Sequence, residues 1–252
     1  MEKKHLHIGN LVFGGSSIER IGEDCPTKYF KFLGHRVDDK LTWKYQISHI
    51  AKKINSANYA LSQCKNKLPF TVRKTIYMSL IHSHLNWGAP VFGASKLSGI
   101  KHLESLQNKA IRNLVRAKYN AHTNELYKSL NILKVSDIIK LSRGLLVMKF
   151  KKDLIPNTLH IYFKYSNEQG DRRIRDNQEN FHIPSTFKQT HEIFPIPEMF
   201  KSWNRLPHYL KSATKLTTFR SDTKNYLLDK YDTDCHKLNC YPCKQQTSLN
   251  YY

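Results

Sequence analysis

Residues 43–64 read WKYQISHIAKKINSANYALSQC, and within them Trp43, Ile47, Ile50, Ile54, Ala57, Leu61 and Cys64 recur alternately four and three positions apart. That spacing brings every one of those side chains back to one face of a helix, so the stretch predicts an amphipathic helix packed by a single apolar stripe. Lys44, Lys52 and Lys53 fall on the opposite face, where they stay in water. Leu68-Pro69 ends the helix, since proline cannot continue the hydrogen-bond ladder.

Working outward, the same period predicts a second helix from about Thr71 to His84, with Ile76, Tyr77, Leu80 and Ile81 inward and Arg73 and Lys74 outward. The breaker stretch Trp87-Gly88-Ala89-Pro90 stops it. A third helix is predicted from Leu97 to Val115, with an apolar face of Ile100, Leu103, Ala110, Ile111 and Leu114. Lys101, Lys109, Arg112, Arg116 and Lys118 lie mostly outside that stripe. Three amphipathic helices with short connections make a small bundle. At roughly 1.5–3 kcal/mol per fully buried large apolar side chain, such faces offset the entropy of ordering.

Two more helices are expected at His122–Leu130 and Ser136–Phe150, before Pro156 interrupts. Upstream, Leu6, Ile8, Leu11-Val12-Phe13, the Gly14-Gly15 break and Tyr29-Phe30-Lys31-Phe32-Leu33 read as two or three short strands, with Gly14-Gly15 as a hairpin turn. Tyr165 to Thr190 loses periodicity and reads as a linker or exposed loop, and a last helix is expected from Leu216 to Tyr231. The expected fold is thus mainly α with a short N-terminal β-hairpin. In segments, this is a hairpin region at 1–40, a helical bundle at 41–120, a helical extension at 121–163, a linker at 164–192, a helical C-terminal segment at 193–234 and a cysteine-containing tail at 235–252.

The 252 residues carry 41 Lys and Arg against 20 Asp and Glu, a net charge of +21. Such an excess repels itself in a compact chain and favours a polyanion, because each phosphate contact releases condensed counterions. Nucleic acid is therefore the first partner expected. No apolar run approaches the roughly 18–20 residues that span a bilayer, and Met1-Glu2-Lys3-Lys4-His5 opens no secretory signal. The five cysteines are odd in number and sparse, which excludes a secreted disulfide framework and predicts reduced thiols in an intracellular protein, nuclear or cytoplasmic.

Tyr29-Phe30-Lys31-Phe32-Leu33-Gly34 through Val37-Asp38, then Leu41-Thr42-Trp43 and His49-Ile50, resembles the segment of non-LTR retrotransposon (LINE-type, jockey- or CR1-like) reverse transcriptases that closes the palm and enters the thumb. The similarity continues through Ile76-Tyr77-Met78-Ser79-Leu80-Ile81, Trp87-Gly88, Leu106-Gln107-Asn108-Lys109-Ala110-Ile111-Arg112, His122-Thr123 and Leu130-Asn131-Ile132-Leu133. It resumes at Trp203-Asn204-Arg205-Leu206-Pro207. No one of these motifs is specific, but their order and spacing together are.

The resemblance implies a primer-grip-like segment at Phe32, Leu33 and Gly34, and a thumb from about Trp43 to Lys118 lying along a template-primer duplex. Lys44, Lys52, Lys53, Lys101, Lys109, Arg112 and Arg116 are the expected phosphate contacts, because cations on helices reach phosphates without reading sequence. It further implies that the magnesium-binding carboxylates of in-line phosphoryl transfer belong to palm motifs outside these residues, so Mg2+ is expected only with that palm and this chain is expected to be inactive alone. Asp38-Asp39 is no substitute. No aromatic residue stands two before Asp38 and the pair directly precedes a helix, where a carboxylate ordinarily accepts hydrogen bonds from free backbone N–H groups.

In the tail, Cys235, His236, Cys240 and Cys243 offer candidate zinc ligands. Their spacing fits no standard finger, and the adjacency of Cys235 and His236 makes joint ligation awkward, so loose thiols are the plainer reading. Trp43, Trp87 and Trp203 are expected in the core, their stacking on bases being the lesser alternative. The expected partners are RNA, DNA or their hybrid, together with the remaining parts of a reverse transcriptase. The rival expectation is a stand-alone basic nucleic-acid-binding or interaction module without enzymatic activity.

Overall fold

Two antiparallel hairpins precede the helices in the computed structural model, which describes residues 11–18, 20–22, 25–166, 179–183 and 195–231. β1 (Leu11–Phe13) pairs with β2 (Ser16–Ile18) across Gly14-Gly15, and β3 (Phe30–Phe32) pairs with β4 (His35–Val37) across Leu33-Gly34. Both two-residue turns have positive φ at both central positions, 57° and 79° in the first, 46° and 84° in the second. Such turns match the twist of the strands they join. The expected strand through Leu33 therefore ends at Phe32 and folds back, giving a second hairpin beside the expected one.

Asp38 starts the first helix, α1 (Lys44–Cys64). Its carboxylate accepts hydrogen bonds from the Thr42 amide at 2.8 Å, the Thr42 hydroxyl at 3.0 Å and the Trp43 amide at 2.9 Å. Six of the seven stripe residues, Trp43 to Leu61, are buried, and Cys64 is half-buried.

α2 (Phe70–Tyr77) runs through a π-helical turn (Met78–His82) into α3 (Ser83–Asn86). A π turn holds an extra residue and so rotates the register of the helix beyond it. Tyr77, Ile81 and Leu85, four apart, point inward, whereas Leu80, expected inside, is exposed. Arg73, expected outside, is only 4% exposed, with Nη1 donating to Asn113 O at 3.4 Å. The breaker stretch is itself one helical turn, α4 (Ala89–Phe92).

α5 (Leu97–Val115), α6 (Asn124–Leu130) and α7 (Val135–Lys151) join the first core, which Leu227, Leu228 and Tyr231 also enter, with α1 packed chiefly on α5. All five residues of the predicted α5 face are buried. Gln107 sits fully buried among them. Its Nε2 donates to Tyr77 Oη at 3.0 Å and Leu133 O at 2.9 Å, while its Oε1 accepts from the Val135 amide at 2.8 Å. One side chain thereby ties three segments together with its polar groups paired.

A second core is aromatic. It gathers Phe163 and Phe181 with Phe200 and Trp203 of α8 (Pro195–Asn204), Leu210 of α9 (His208–Lys211) and Phe219 of α10 (Leu216–Asp229). Phe181 stacks on Phe200 at 4.9 Å and on Tyr165 at 4.7 Å. Within the segment expected to be a linker or exposed loop, Tyr165 bridges to Phe181 in antiparallel fashion, and Phe181 is buried. Two aromatic anchors 16 positions apart carry no periodicity, which is why the sequence read as loop. Cys235, His236, Cys240 and Cys243 lie outside the described residues, as do Leu6 and Ile8. Among the described residues no helix is long and apolar enough to cross a membrane.

Candidate nucleic-acid interface

Between α1 and the N-terminal end of α5 runs a groove of about 670 Å³. Lys44 and Lys52 reach it from α1, Lys40 from the turn before, and Lys96 from the residue that caps α5. All four are exposed or half-buried at its rim. The floor is Ile47, Ala51 and Gly99, with Ser48, Asn55, Ser98 and His102 along the walls, and among the described residues no carboxylate lines it. Gly99 permits the close approach of the two helices, since a Cβ there would already stand 3.4 Å from Ile47 Cγ2.

The local sequence explains why charge collects here. Lys44 and Lys52 are eight positions apart, a little over two turns, and face away from the Ile47–Leu61 stripe. Across the groove α5 begins without a side-chain cap or an acidic residue in its first turn. Its uncapped amides add the equivalent of roughly half a positive charge at that end. Four ammonium groups, a helix N-terminus and short hydroxyl and amide side chains suit an extended anion such as a phosphodiester backbone.

A second cationic surface lies on the other flank of α1. His49 is held below the usual histidine range first by burial and then by Arg36, Lys53, His84 and Lys31. Burial and then Lys53 lower His84 in the same direction, and burial lowers His35. The hairpin β3–β4 is pinned here, because the Arg36 amide donates to Gln46 Oε1 of α1 at 2.9 Å. Arg36 also lies over the Tyr29 ring at 5.5 Å.

The seven cations expected at a phosphate backbone therefore separate into groups. Lys44 and Lys52 share the groove, and Lys53 belongs to the opposite flank. Lys101 and Lys109 lie on α5 but line neither. Lys109 follows Ser98 and His102 along one strip of the helix, three turns farther on from Ser98. Arg112 and Arg116 hold loops: Arg112 Nε donates to Ala121 O and Arg116 Nε to Lys65 O, both at 2.8 Å. Lys40 and Lys96, which complete the groove, lie in irregular segments at helix ends and carry no periodic signal.

Of the primer-grip-like residues, Phe32 and Leu33 are exposed, and Gly34 has a φ of 84°. Gly34 packs over Trp87, whose Nε1 would stand 3.4 Å from a Cβ at that position. Trp43 and Trp203 are buried as expected, but Trp87 is 61% exposed and corrects that expectation. It stands at the end of α3, where ψ 112° ends the helix, and its ring lies parallel to that of His35 in the hairpin. Among the described residues no group of three His, Cys, Asp or Glu side chains could hold a metal ion, and both oxygens of Asp38 serve the start of α1.

Two curated proteins of Drosophila melanogaster are similar to this chain over part of its length. The probable RNA-directed DNA polymerase from transposon X-element is 25% identical over 112 residues, which is 43% of this chain and 12% of that protein. The RNA-directed DNA polymerase from mobile element jockey is 27% identical over 111 residues, again 43% of this chain and 12% of the relative. The chain is similar to transposon reverse transcriptases. This agrees with the non-LTR resemblance read from its motifs, and the match spans about an eighth of the length of each relative. No protein-family model matches this reverse-transcriptase-like chain. No solved structure matches it.

Proposed function

We propose that the chain is the end of the palm, the thumb and the C-terminal region of a LINE-type reverse transcriptase, and that it binds template-primer through phosphate contacts without itself polymerising. The observation that carries this reading is the α1–α5 groove, where four lysines and a helix N-terminus converge. A net charge of +21 supports it over a solvated structural face. The two relatives are RNA-directed DNA polymerases, which supports nucleic acid as the substrate class. The described residues contribute groups that position a backbone; metal-held phosphoryl transfer belongs to carboxylates of the palm.

Fluorescence anisotropy with a blunt RNA–DNA hybrid tests the binding claim. The triple substitution Lys44→Gln, Lys52→Gln and Lys96→Gln is expected to weaken binding about tenfold or more at physiological salt. Unchanged affinity would sink the groove. Primer extension by the purified chain with magnesium tests the other half, where synthesis above background would contradict a binding-only role.

A further inference from the structure

The exposed tryptophan beside the hairpin is built in a way that ordinary surface residues are not. His35 of β4 lies parallel to the Trp87 ring, with centroids 6.0 Å apart and planes inclined by 6°. Gly88 makes that stack possible: its φ is 69°, and a Cβ there would fall 1.9 Å from His35 Cε1. Gly34 then closes over the indole edge. One face of the indole is thus backed by an imidazole, while the side chain as a whole stays 61% exposed.

Cationic side chains gather beside it. His84 precedes Trp87 by three positions and so lies on the same side of the helix, and it feels Lys53. Lys31 and Arg36 extend the cluster along the hairpin, and with Lys53 they act on His49 at its centre. Phe32, on the strand before the turn, is exposed as well.

We propose that Trp87, backed by His35, is a stacking platform for an unpaired nucleobase, with the Lys31, Arg36 and Lys53 cluster holding the phosphates of that strand. An aromatic face rimmed by cations suits a single strand, because every base offers a π-face and the backbone supplies the counter-charge. The inference rests on the nucleic-acid-binding reading above and adds to it a preference for an unpaired strand next to a duplex.

The test compares a blunt RNA–DNA hybrid with the same hybrid bearing a short oligothymidylate overhang. The wild-type chain is expected to bind the overhang form roughly tenfold more tightly, the scale of one stacked base. Its tryptophan emission should also be quenched by that form, since Trp43 and Trp203 are 6% and 0% exposed and leave Trp87 as the accessible indole. Trp87→Leu, which keeps apolar bulk against His35, should erase the overhang advantage and leave blunt-hybrid affinity unchanged. Trp87→Phe should retain most of it. Equal binding of the two forms by the wild type, absence of quenching, or an overhang advantage that survives Trp87→Leu would overturn the platform while leaving the groove standing. Failure to bind either form would instead overturn the phosphate-contact reading and the platform with it. The quenching measurement needs no variant, so it decides the matter even if Trp87→Leu fails to fold.

Discussion

The bundle built on α1 and α5 and the aromatic unit built on α8 to α10 use the same residue type, lysine, in opposite ways. In the bundle, Lys40, Lys44, Lys52 and Lys96 stand at the rim of a groove, over an interior of isoleucine, leucine and alanine. In the aromatic unit Lys211 and Lys151 turn inward. Lys211 is buried, with Nζ donating to Asn180 Oδ1 at 2.9 Å and Asn204 O at 3.1 Å. Lys151 Nζ donates to Glu179 Oε1 and Lys211 O, both at 2.9 Å. A buried ammonium is tolerable only where its donors find acceptors. The two regions therefore divide the chain's positive charge between surface electrostatics and internal scaffolding, and net charge alone overstates what is offered to a partner.

The contrast can be broken most forcefully at Trp203, whose ring is fully buried and whose Nε1 donates to Glu179 O at 2.9 Å. Trp203→Ala is expected to cost about 3–5 kcal/mol in denaturant unfolding and to loosen the aromatic unit. Retained stability would show that this core is not cooperative. A smaller loss, roughly 2–3 kcal/mol, is expected for Lys211→Met, which keeps the stem but strands the Asn180 and Asn204 acceptors. The surface substitutions Lys44→Gln, Lys52→Gln and Lys96→Gln should each change stability by less than about 0.5 kcal/mol while weakening nucleic-acid binding. If Lys211→Met were as harmless as Lys52→Gln, the division between inward and outward lysines would fail.

Acid sharpens the contrast from another side. His35, His49, His82 and His84 all have values below the ordinary 6.5, in each case first through burial. His82 is lowered further by Lys224, and His49 by Lys31, Arg36, Lys53 and His84. Because the unfolded chain takes up protons before the folded one, stability is full above the unfolded value and falls as pH drops from there through the lowered folded values. The melting temperature should therefore fall between pH 7 and pH 5, less so in His82→Gln. Binding of the overhang hybrid should tighten over the same range, since protons taken up beside phosphates are favoured. A melting temperature flat with pH would show that these imidazoles are not held neutral by their surroundings.

Much of the bundle was legible because its contacts repeat with the helix. The α1 stripe from Trp43 to Leu61 is buried, and α5 spans the predicted Leu97–Val115. Leu80 and Arg73 were misplaced for a local reason: a π turn resets the register after Tyr77, and Arg73 is covered by the α5 end that it reaches. The aromatic unit was hardly legible, since Phe181 meets Phe200 and Tyr165 across long separations with no shared period. Of the candidate interface, Lys44 and Lys52 could be found from periodicity. Lys40, Lys96 and the exposed Trp87 depend on how helix ends meet, which periodicity does not encode.

The central claim, that this chain grips a nucleic-acid backbone with the α1–α5 groove, is tested most directly by measuring hybrid affinity against salt. Four groove lysines each neutralising one phosphate predict a log–log slope of roughly −3 to −4, and the Lys44→Gln, Lys52→Gln, Lys96→Gln variant should be shallower by about 2–3. Affinity indifferent to salt, or a triple variant with the wild-type slope, would contradict the claim.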